Sequence, residues 1–138
     1  MIGMILVAHG EIGAEMLKAV EHVVGPQALA KTLSVNVEDD VDTSLGRLKE
    51  MIVACNVGKG VLLMADMFGG TPCNLALACM RDSDIEVLSG FNLPMLIKVA
   101  TLRQSIDDLR LLAGKARDSG RYHMHFASEI LAQGKNSA

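Results

Sequence analysis

Aromatic residues are scarce in this sequence, and tryptophan is absent. Aromatic side chains make up 3% of the 138 residues, although half of the chain is hydrophobic. Leucine, valine, isoleucine, methionine and alanine must therefore fill the core, and the nine methionines are expected to serve mainly as core packing. This length and composition predict a single domain over residues 1–138, with a loose tail after about residue 133.

The sequence also lacks a long basic run and a long apolar run. Its formal net charge is −3, which argues against an electrostatic surface for nucleic acid. No stretch approaches the roughly 20 apolar residues that a membrane span needs. The apolar start, residues 1–7, lacks both the cationic flank and the length of a secretory signal peptide. We therefore expect a soluble, cytoplasmic protein that does not bind nucleic acid.

Cysteine is present only at Cys55, Cys73 and Cys79. An odd number without C-x-x-C spacing argues against a disulfide framework and against a zinc site, so reduced thiols are expected. Cys73 falls in the first turn of a predicted helix, where a thiolate would be stabilised. A cysteine nucleophile is thus one interpretation, but a buried structural cysteine is the more common one.

Short apolar runs alternate with amphipathic segments, a pattern typical of a parallel α/β sheet with helices on both faces. Strands are predicted at residues 2–8, 30–37, 61–65 and 85–89. Helices are predicted at residues 11–24, from Asp40 or Asp42 to 54, and at 71–80, 95–102 and 105–118. Thr71 is the predicted N-cap of the third helix, since Pro72 suits a first helical position. Residues 121–126 alternate apolar side chains with histidines, which predicts a short final strand.

Residues with possible chemical roles follow the predicted strands. His9 and Gly10 follow the first strand, and Asp66 and the turn of residues 69–72 follow the third. In an open parallel sheet, ligands bind beyond the carboxyl ends of the strands, near the point where strand order reverses. In the common doubly wound order 2-1-3-4, strands one and three are neighbours. His9 and Asp66 are therefore expected to lie side by side at this point.

A histidine beside a carboxylate suits nucleophilic chemistry. A carboxylate that accepts the Nδ1 proton fixes the tautomer and leaves Nε2 free to attack. It also stabilises the positive charge that grows on the ring when Nε2 is phosphorylated. The Gly69-Gly70 turn before a helix supplies backbone N–H groups for an anion, while Gly10 leaves the backbone uncrowded and the Thr71 hydroxyl can donate another hydrogen bond. These residues together indicate an anion or phosphoryl site.

Three segments resemble the mannose-type IIA domains of the sugar phosphotransferase system. Residues 5–10 (ILVAHG) resemble the active-histidine strand of that family. Residues 64–74 (MADMFGGTPCN) resemble its second signature, D-x-[FW]-G-G-[ST]-P-x-N. Residues 86–96 (EVLSGFNLPML) resemble its third segment. Their order and spacing agree with the family along nearly the whole chain.

The resemblance implies a phosphotransferase whose phosphohistidine is His9. Asp66 would orient the ring, and the Thr71 hydroxyl would bind the phosphoryl group. The fold implied is the four-stranded parallel sheet in the order 2-1-3-4, in a homodimer that exchanges the strand of residues 121–126. The implied donor is phospho-HPr and the acceptor a separate IIB protein, with the membrane reached only through a IIC/IID permease. No metal and no cofactor is implied.

Other interpretations remain open at this point. The chain could be a regulatory phosphoprotein of an incomplete phosphotransferase system, or the phosphodonor subunit of a dihydroxyacetone kinase, which shares the histidine strand. A receiver domain phosphorylated on Asp66 would need an acidic pair after the first strand, where His9 and Gly10 stand. His123 and His125 could indicate a metal site, although solvated histidines are the commoner explanation.

Overall fold

A four-stranded parallel sheet forms the centre of the molecule. The computed structural model describes residues 1–81 and 84–136. The strands are β1 (Gly3–His9), β2 (Ala30–Val35), β3 (Val61–Ala65) and β4 (Ile85–Ser89). The helices are α1 (Ile12–Val24), α2 (Val41–Cys55), α3 (Thr71–Ala78), α4 (Leu93–Leu102), α5 (Leu109–Tyr122) and α6 (Ala127–Asn136). None of these helices is both long and apolar enough to cross a membrane.

The strand order is β2-β1-β3-β4, which confirms the predicted doubly wound α/β fold. The register pairs Ile5 with Lys31 on one side and with Leu63 on the other. Both central strands are buried on both faces, as expected for continuous apolar runs within a parallel sheet. The chemical groups at the ends of β1 and β3 are therefore carried by the two central, buried strands.

Two hydrophobic clusters cover the two faces of the sheet. Alternate residues of β1 and β3 point to opposite faces, because side chains alternate along a strand. One set, which includes Met4 and Leu62, packs with α1, α4 and α5. The other, which includes Ile5 and Leu63, packs with α2 and α3. This is the two-sided helix cover that the alternating sequence pattern predicts.

Side-chain caps fix several helix starts. Asp40 caps α2 by accepting a hydrogen bond from the Thr43 N–H at 3.0 Å, so the earlier of the two predicted cap positions is correct. Asp108 caps α5, which therefore begins at Leu109 and not at residue 105. The prediction of Thr71 as an N-cap is wrong. Gly70 is the cap residue of α3, and Thr71 is the first residue inside the helix.

The predicted strand over residues 121–126 does not form within the single chain, while its exchange between subunits stays a prediction. Arg121 and Tyr122 form the last turn of α5, and the N–H groups of His123 and Met124 bond to carbonyl groups of that turn. Alternating apolar and polar residues also occur in an exposed link between helices, and here Met124 and Phe126 are exposed. The chain then continues as α6 to residue 136, so part of the expected tail is helical; residues 137–138 lie outside the described residues.

A buried arginine closes the edge of the sheet opposite His9. Arg103 is only 1% exposed. Its Nη1 donates to the carbonyl groups of Ile2 and Leu29 at 3.1 and 3.2 Å. Its Nη2 donates to Gln27 Oε1 at 3.0 Å and to the Ala28 carbonyl at 2.5 Å. The guanidinium thus donates hydrogen bonds to the carbonyl groups of the loop that leads into β2. Leu29 in this loop has a φ of 51°, which is unusual for a residue with a side chain.

We expect Arg103→Lys to destabilise the fold. A single ammonium group cannot reach four acceptors on a planar fork, so buried carbonyl groups lose their partners. The free energy of unfolding in urea is expected to fall by about 2–4 kcal/mol. Arg117→Lys is the control, because Arg117 forms an exposed pair with Asp118 and should change stability by less than about 0.5 kcal/mol. Equal effects of the two substitutions would contradict this role for Arg103.

Candidate active site

The neighbouring strands β1 and β3 bring a histidine and an aspartate together. His9 is the last residue of β1, and Asp66 directly follows β3. The two strands are paired up to Val7 and Ala65, so their ends reach the same edge of the sheet. Parallel strands present their carboxyl ends on one edge, which is why two residues 57 positions apart in sequence meet here.

One carboxylate oxygen of Asp66 accepts two hydrogen bonds from His9. The His9 backbone N–H lies 2.9 Å from Oδ2, and the ring Nδ1 lies 2.8 Å from the same atom. Because a carboxylate only accepts, Nδ1 carries a proton, and in the neutral ring Nε2 therefore keeps its lone pair. The His9 side chain is 47% exposed, whereas that of Asp66 is 13% exposed. The arrangement holds the imidazole in one tautomer and leaves it open to solvent.

The Asp66 carboxyl is held in its charged form. Burial raises its pKa, but the hydrogen bonds from the His9 N–H, the His9 ring and the Met67 N–H together outweigh burial. The pKa of Asp66 therefore lies below its ordinary value. A carboxylate that stays ionised continues to accept both hydrogen bonds from His9.

The glycine turn before α3 packs against the imidazole. A Cβ atom at Gly70 would lie 3.0 Å from His9 Cε1 and 3.4 Å from Nε2. Gly69 has a φ of +91° and Gly10 a φ of +52°, both in the region that favours glycine. The positive end of α3 therefore starts beside the imidazole edge that carries Nε2, where its backbone N–H groups suit an anion. Thr71 begins that helix and is exposed.

A cleft of about 350 Å³ opens next to His9. It lies between the start of α2, the end of β2 and the start of α3. Its walls are formed by His9, Gly10, Val35, Asn36, Val37, Asp39, Val41, Ser44, Thr71 and Leu75. The Asp39 carboxylate accepts a hydrogen bond from the Asn36 N–H at 2.8 Å, which closes the turn at the rim.

The structure brings together the residues that the sequence pointed to. His9, Gly10 and Thr71 line one cleft, while Asp66 and Gly70 contact the imidazole. Gly69 lies in the turn that leads to Gly70. The sequence did not point to the cleft residues Asn36, Asp39 and Ser44. Asn36 and Asp39 follow β2, and ligands bind beyond the carboxyl ends of parallel strands, so the end of this strand was also a place to expect site residues. The three residues carry no recognisable motif.

The other candidate residues lie elsewhere. Cys73 is fully buried, so its thiol has no access to a substrate. His123 and His125 lie beside Tyr122, with ring centroids 5.0 and 6.2 Å from the tyrosine ring. Across residues 1–81 and 84–136, no group of three or more histidine, cysteine, aspartate or glutamate side chains is placed to hold a metal ion.

These features define a class: a doubly wound α/β domain with an exposed histidine, oriented by an aspartate, at the switch point of its sheet. The sequence profile of the family described as "PTS system fructose IIA component" matches residues 3–112. The chain belongs to this mannose- and fructose-type IIA family of phosphotransferase-system components.

Solved structures agree with this assignment. An EIIA component from Streptococcus agalactiae superposes with a TM-score of 0.85 at 27% identity, covering 94% of this chain and 99% of that one. The mannose/sorbose-specific IIA subunit from Enterococcus faecalis gives a TM-score of 0.80 at 28% identity, covering 90% and 92% of the two chains.

Curated relatives include a longer protein. The chain is 26% identical to the mannose-specific EIIAB component of Escherichia coli K12 over 121 residues, and these residues make up 87% of this chain. The match spans only 38% of that relative's length. The fructose-specific EIIA component of Bacillus subtilis is 24% identical over 107 residues, which cover 77% of this chain and 73% of that protein.

We expect Gly70→Ala to disturb the His9–Asp66 contact. The backbone at Gly70 (φ −88°, ψ 169°) is allowed for alanine, so the effect should come only from the added Cβ against the ring. The proton NMR signal of the His9 Nδ1–H is expected to broaden or disappear through faster exchange. Gly46→Ala is the matched control, since nothing lies within 4 Å of its Cβ. An unchanged signal in Gly70→Ala would show that the ring does not depend on this glycine.

Acid is expected to remove the stabilising effect of Asp66. Its folded-state pKa lies below the value of about 3.9 in an unfolded chain. The ionised carboxylate therefore stabilises the fold fully above that pH and loses this effect as the pH falls through the folded-state pKa. The difference in free energy of unfolding between the unaltered protein and Asp66→Asn should shrink below about pH 4 in urea titrations. A difference that is the same at pH 7 and well below pH 3 would rule out this linkage.

Proposed function

We propose that this chain is a phosphoryl carrier of a sugar phosphotransferase system. His9 accepts a phosphoryl group from phospho-HPr and passes it to a IIB component. The observation that carries this proposal is the bond between the Asp66 carboxylate and Nδ1 on a half-exposed ring, because in the neutral ring this tautomer leaves the lone pair on Nε2. Membership of the IIA family supports the same role.

The transfer step moves one phosphoryl group and needs no net proton transfer. The Nε2 lone pair of His9 attacks the phosphorus atom of the donor phosphohistidine. The donor P–N bond breaks, and its electron pair stays on the donor imidazole. The Nδ1 proton of His9 remains in its bond to Asp66, whose negative charge offsets the charge that develops on the ring. The same steps in reverse transfer the phosphoryl group from His9 Nε2 to IIB.

Neutral donors hold the phosphoryl group in this proposal. The backbone N–H groups at the start of α3 and the Thr71 hydroxyl provide hydrogen bonds, and Gly10, Gly69 and Gly70 allow close approach. The segments 9–17, 35–46 and 66–76 contain neither lysine nor arginine. No metal or other cofactor takes part in the proposed step, because the donor is a phosphohistidine and not a nucleotide.

A protein donor fits the surroundings of His9. Val37, Met67 and Phe68 are exposed on the loops around the site, and such apolar side chains suit contact with another protein. We place the carrier in the cytoplasm, with the membrane reached only through the IIC/IID permease. A homodimer that covers the exposed segment of Met124 and Phe126 belongs to the same proposal.

Phosphorylation by the general components tests the proposal. The purified protein is mixed with enzyme I, HPr and phosphoenolpyruvate, and its intact mass is measured. A gain of one acid-labile phosphoryl group that requires HPr is expected, and His9→Ala should abolish it. His22→Ala is the control, because His22 lies in the last turn of α1 and should be phosphorylated at the normal rate. No gain of mass, or full labelling of His9→Ala, would contradict the carrier role.

A further inference from the structure

Ser44 lies in the wall of the cleft that also contains His9 and Thr71. It belongs to the first turns of α2, whose N-cap is Asp40. The residue is only 6% exposed and is one of three buried polar or charged residues among the described part of the chain. Nothing in the sequence marks it, because it is one serine in the interior of an amphipathic helix.

The Ser44 hydroxyl makes no hydrogen bond to any described residue, although its backbone N–H bonds normally to the Asp40 carbonyl. A serine or threonine inside a helix commonly donates to the carbonyl four residues earlier. Thr101 of α4 does so, with its hydroxyl 3.0 Å from the Ile97 carbonyl. Among the described residues, Arg103 Nε is the one fully buried side-chain polar atom without a partner, so the Ser44 hydroxyl opens into the cleft. A hydroxyl that makes no bond within the protein and faces the cleft beside His9 is available to a ligand bound there.

The surroundings restrict what that ligand can be. The cleft walls near Ser44 are largely apolar, with Val35, Val41 and Leu75. An anion attached to Nε2 lies beside the start of α3, and Ser44 of α2 lines the same cleft. A hydroxyl can donate to a phosphoryl oxygen, whereas a carboxylate such as that of Asp39 cannot.

We propose that the Ser44 hydroxyl donates a hydrogen bond to a phosphoryl oxygen of phosphorylated His9. This inference rests on the proposed function of His9 as carrier. Ser44 then acts from α2 and Thr71 from α3, so that two neutral hydroxyl groups on different helices hold the group. Neutral donors suit a carrier, because the stronger bonds of a lysine or arginine would favour retention of the phosphoryl group over its transfer.

The equilibrium of transfer tests this role. Phospho-HPr is mixed with the unaltered protein, with Ser44→Ala and with Ser119→Ala, and the phosphorylated fractions are measured by intact mass. Ser119 is the control, because it is similarly buried but lies in α5, outside the cleft at His9. Ser44→Ala is expected to shift the equilibrium about tenfold towards phospho-HPr, since a hydrogen bond to a charged group is lost. Ser119→Ala should leave it unchanged.

Thermal unfolding and phosphorus NMR distinguish a direct contact between Ser44 and the phosphoryl group from a general effect of the substitution on the protein. Ser44→Ala removes an oxygen that makes no hydrogen bond within the described protein, so it should unfold at about the temperature of the unaltered protein. The phosphorus NMR signal of phospho-His9 is expected to move in Ser44→Ala and to stay in place in Ser119→Ala. An unchanged equilibrium in Ser44→Ala, or equal shifts in both variants, would overturn the role of Ser44 while leaving the carrier function intact. Absence of phosphorylation in the unaltered protein would instead contradict the carrier function itself.

Discussion

The double hydrogen bond from His9 to one oxygen of Asp66 is the contact on which the site depends. It ties the backbone and the ring of His9 to a single point, so the imidazole cannot turn without breaking a bond to an ionised carboxylate. The contact exists only because β1 and β3 are neighbours in the sheet. β1 and β3 lie side by side in the middle of the sheet, where helices cover both faces, so both strands must be apolar on both faces.

The two edges of the sheet differ in their charged side chains. At the edge opposite His9, Arg103 is buried and satisfies carbonyl groups around Leu29, so a permanent charge is used for stability. At the His9 edge, the segments that form the cleft carry no lysine or arginine, and the available donors are backbone groups and hydroxyls. In the proposed carrier role, the site accepts and releases a phosphoryl group, and donors of moderate strength suit both steps. We regard this contrast as the main electrostatic feature of the fold.

Much of the architecture could be predicted because the buried strands are unambiguous. The predicted bounds of β3 and β4 are correct, since each strand ends at a loop containing glycine, although only β3 is a continuous apolar run. The pairing of His9 with Asp66 followed from strand order alone, and the motifs added their roles. The end of β2 was less clear, because Val37 continues the apolar pattern, yet it is fully exposed on the turn that Asp39 closes.

The remaining features depend on tertiary contacts that periodicity does not encode. The alternation at Tyr122, Met124 and Phe126 resembles a strand, but local bonds at the end of α5 determine the backbone there. Ser44 differs from other helical serines only through the cleft that it faces. Gly70 is recognisable as a turn residue, but its contact with the His9 ring becomes visible only when α3 is placed against β1.

The most direct test of the central claim is the position of the phosphoryl group on the imidazole. Protein labelled with ¹⁵N-histidine is phosphorylated, and phosphorus–nitrogen coupling identifies the bonded ring nitrogen. The contact between Nδ1 and Asp66 predicts phosphorylation of His9 at Nε2, with a proton retained on Nδ1. A phosphoryl group on Nδ1 would contradict it, because that nitrogen would then have left the Asp66 carboxylate.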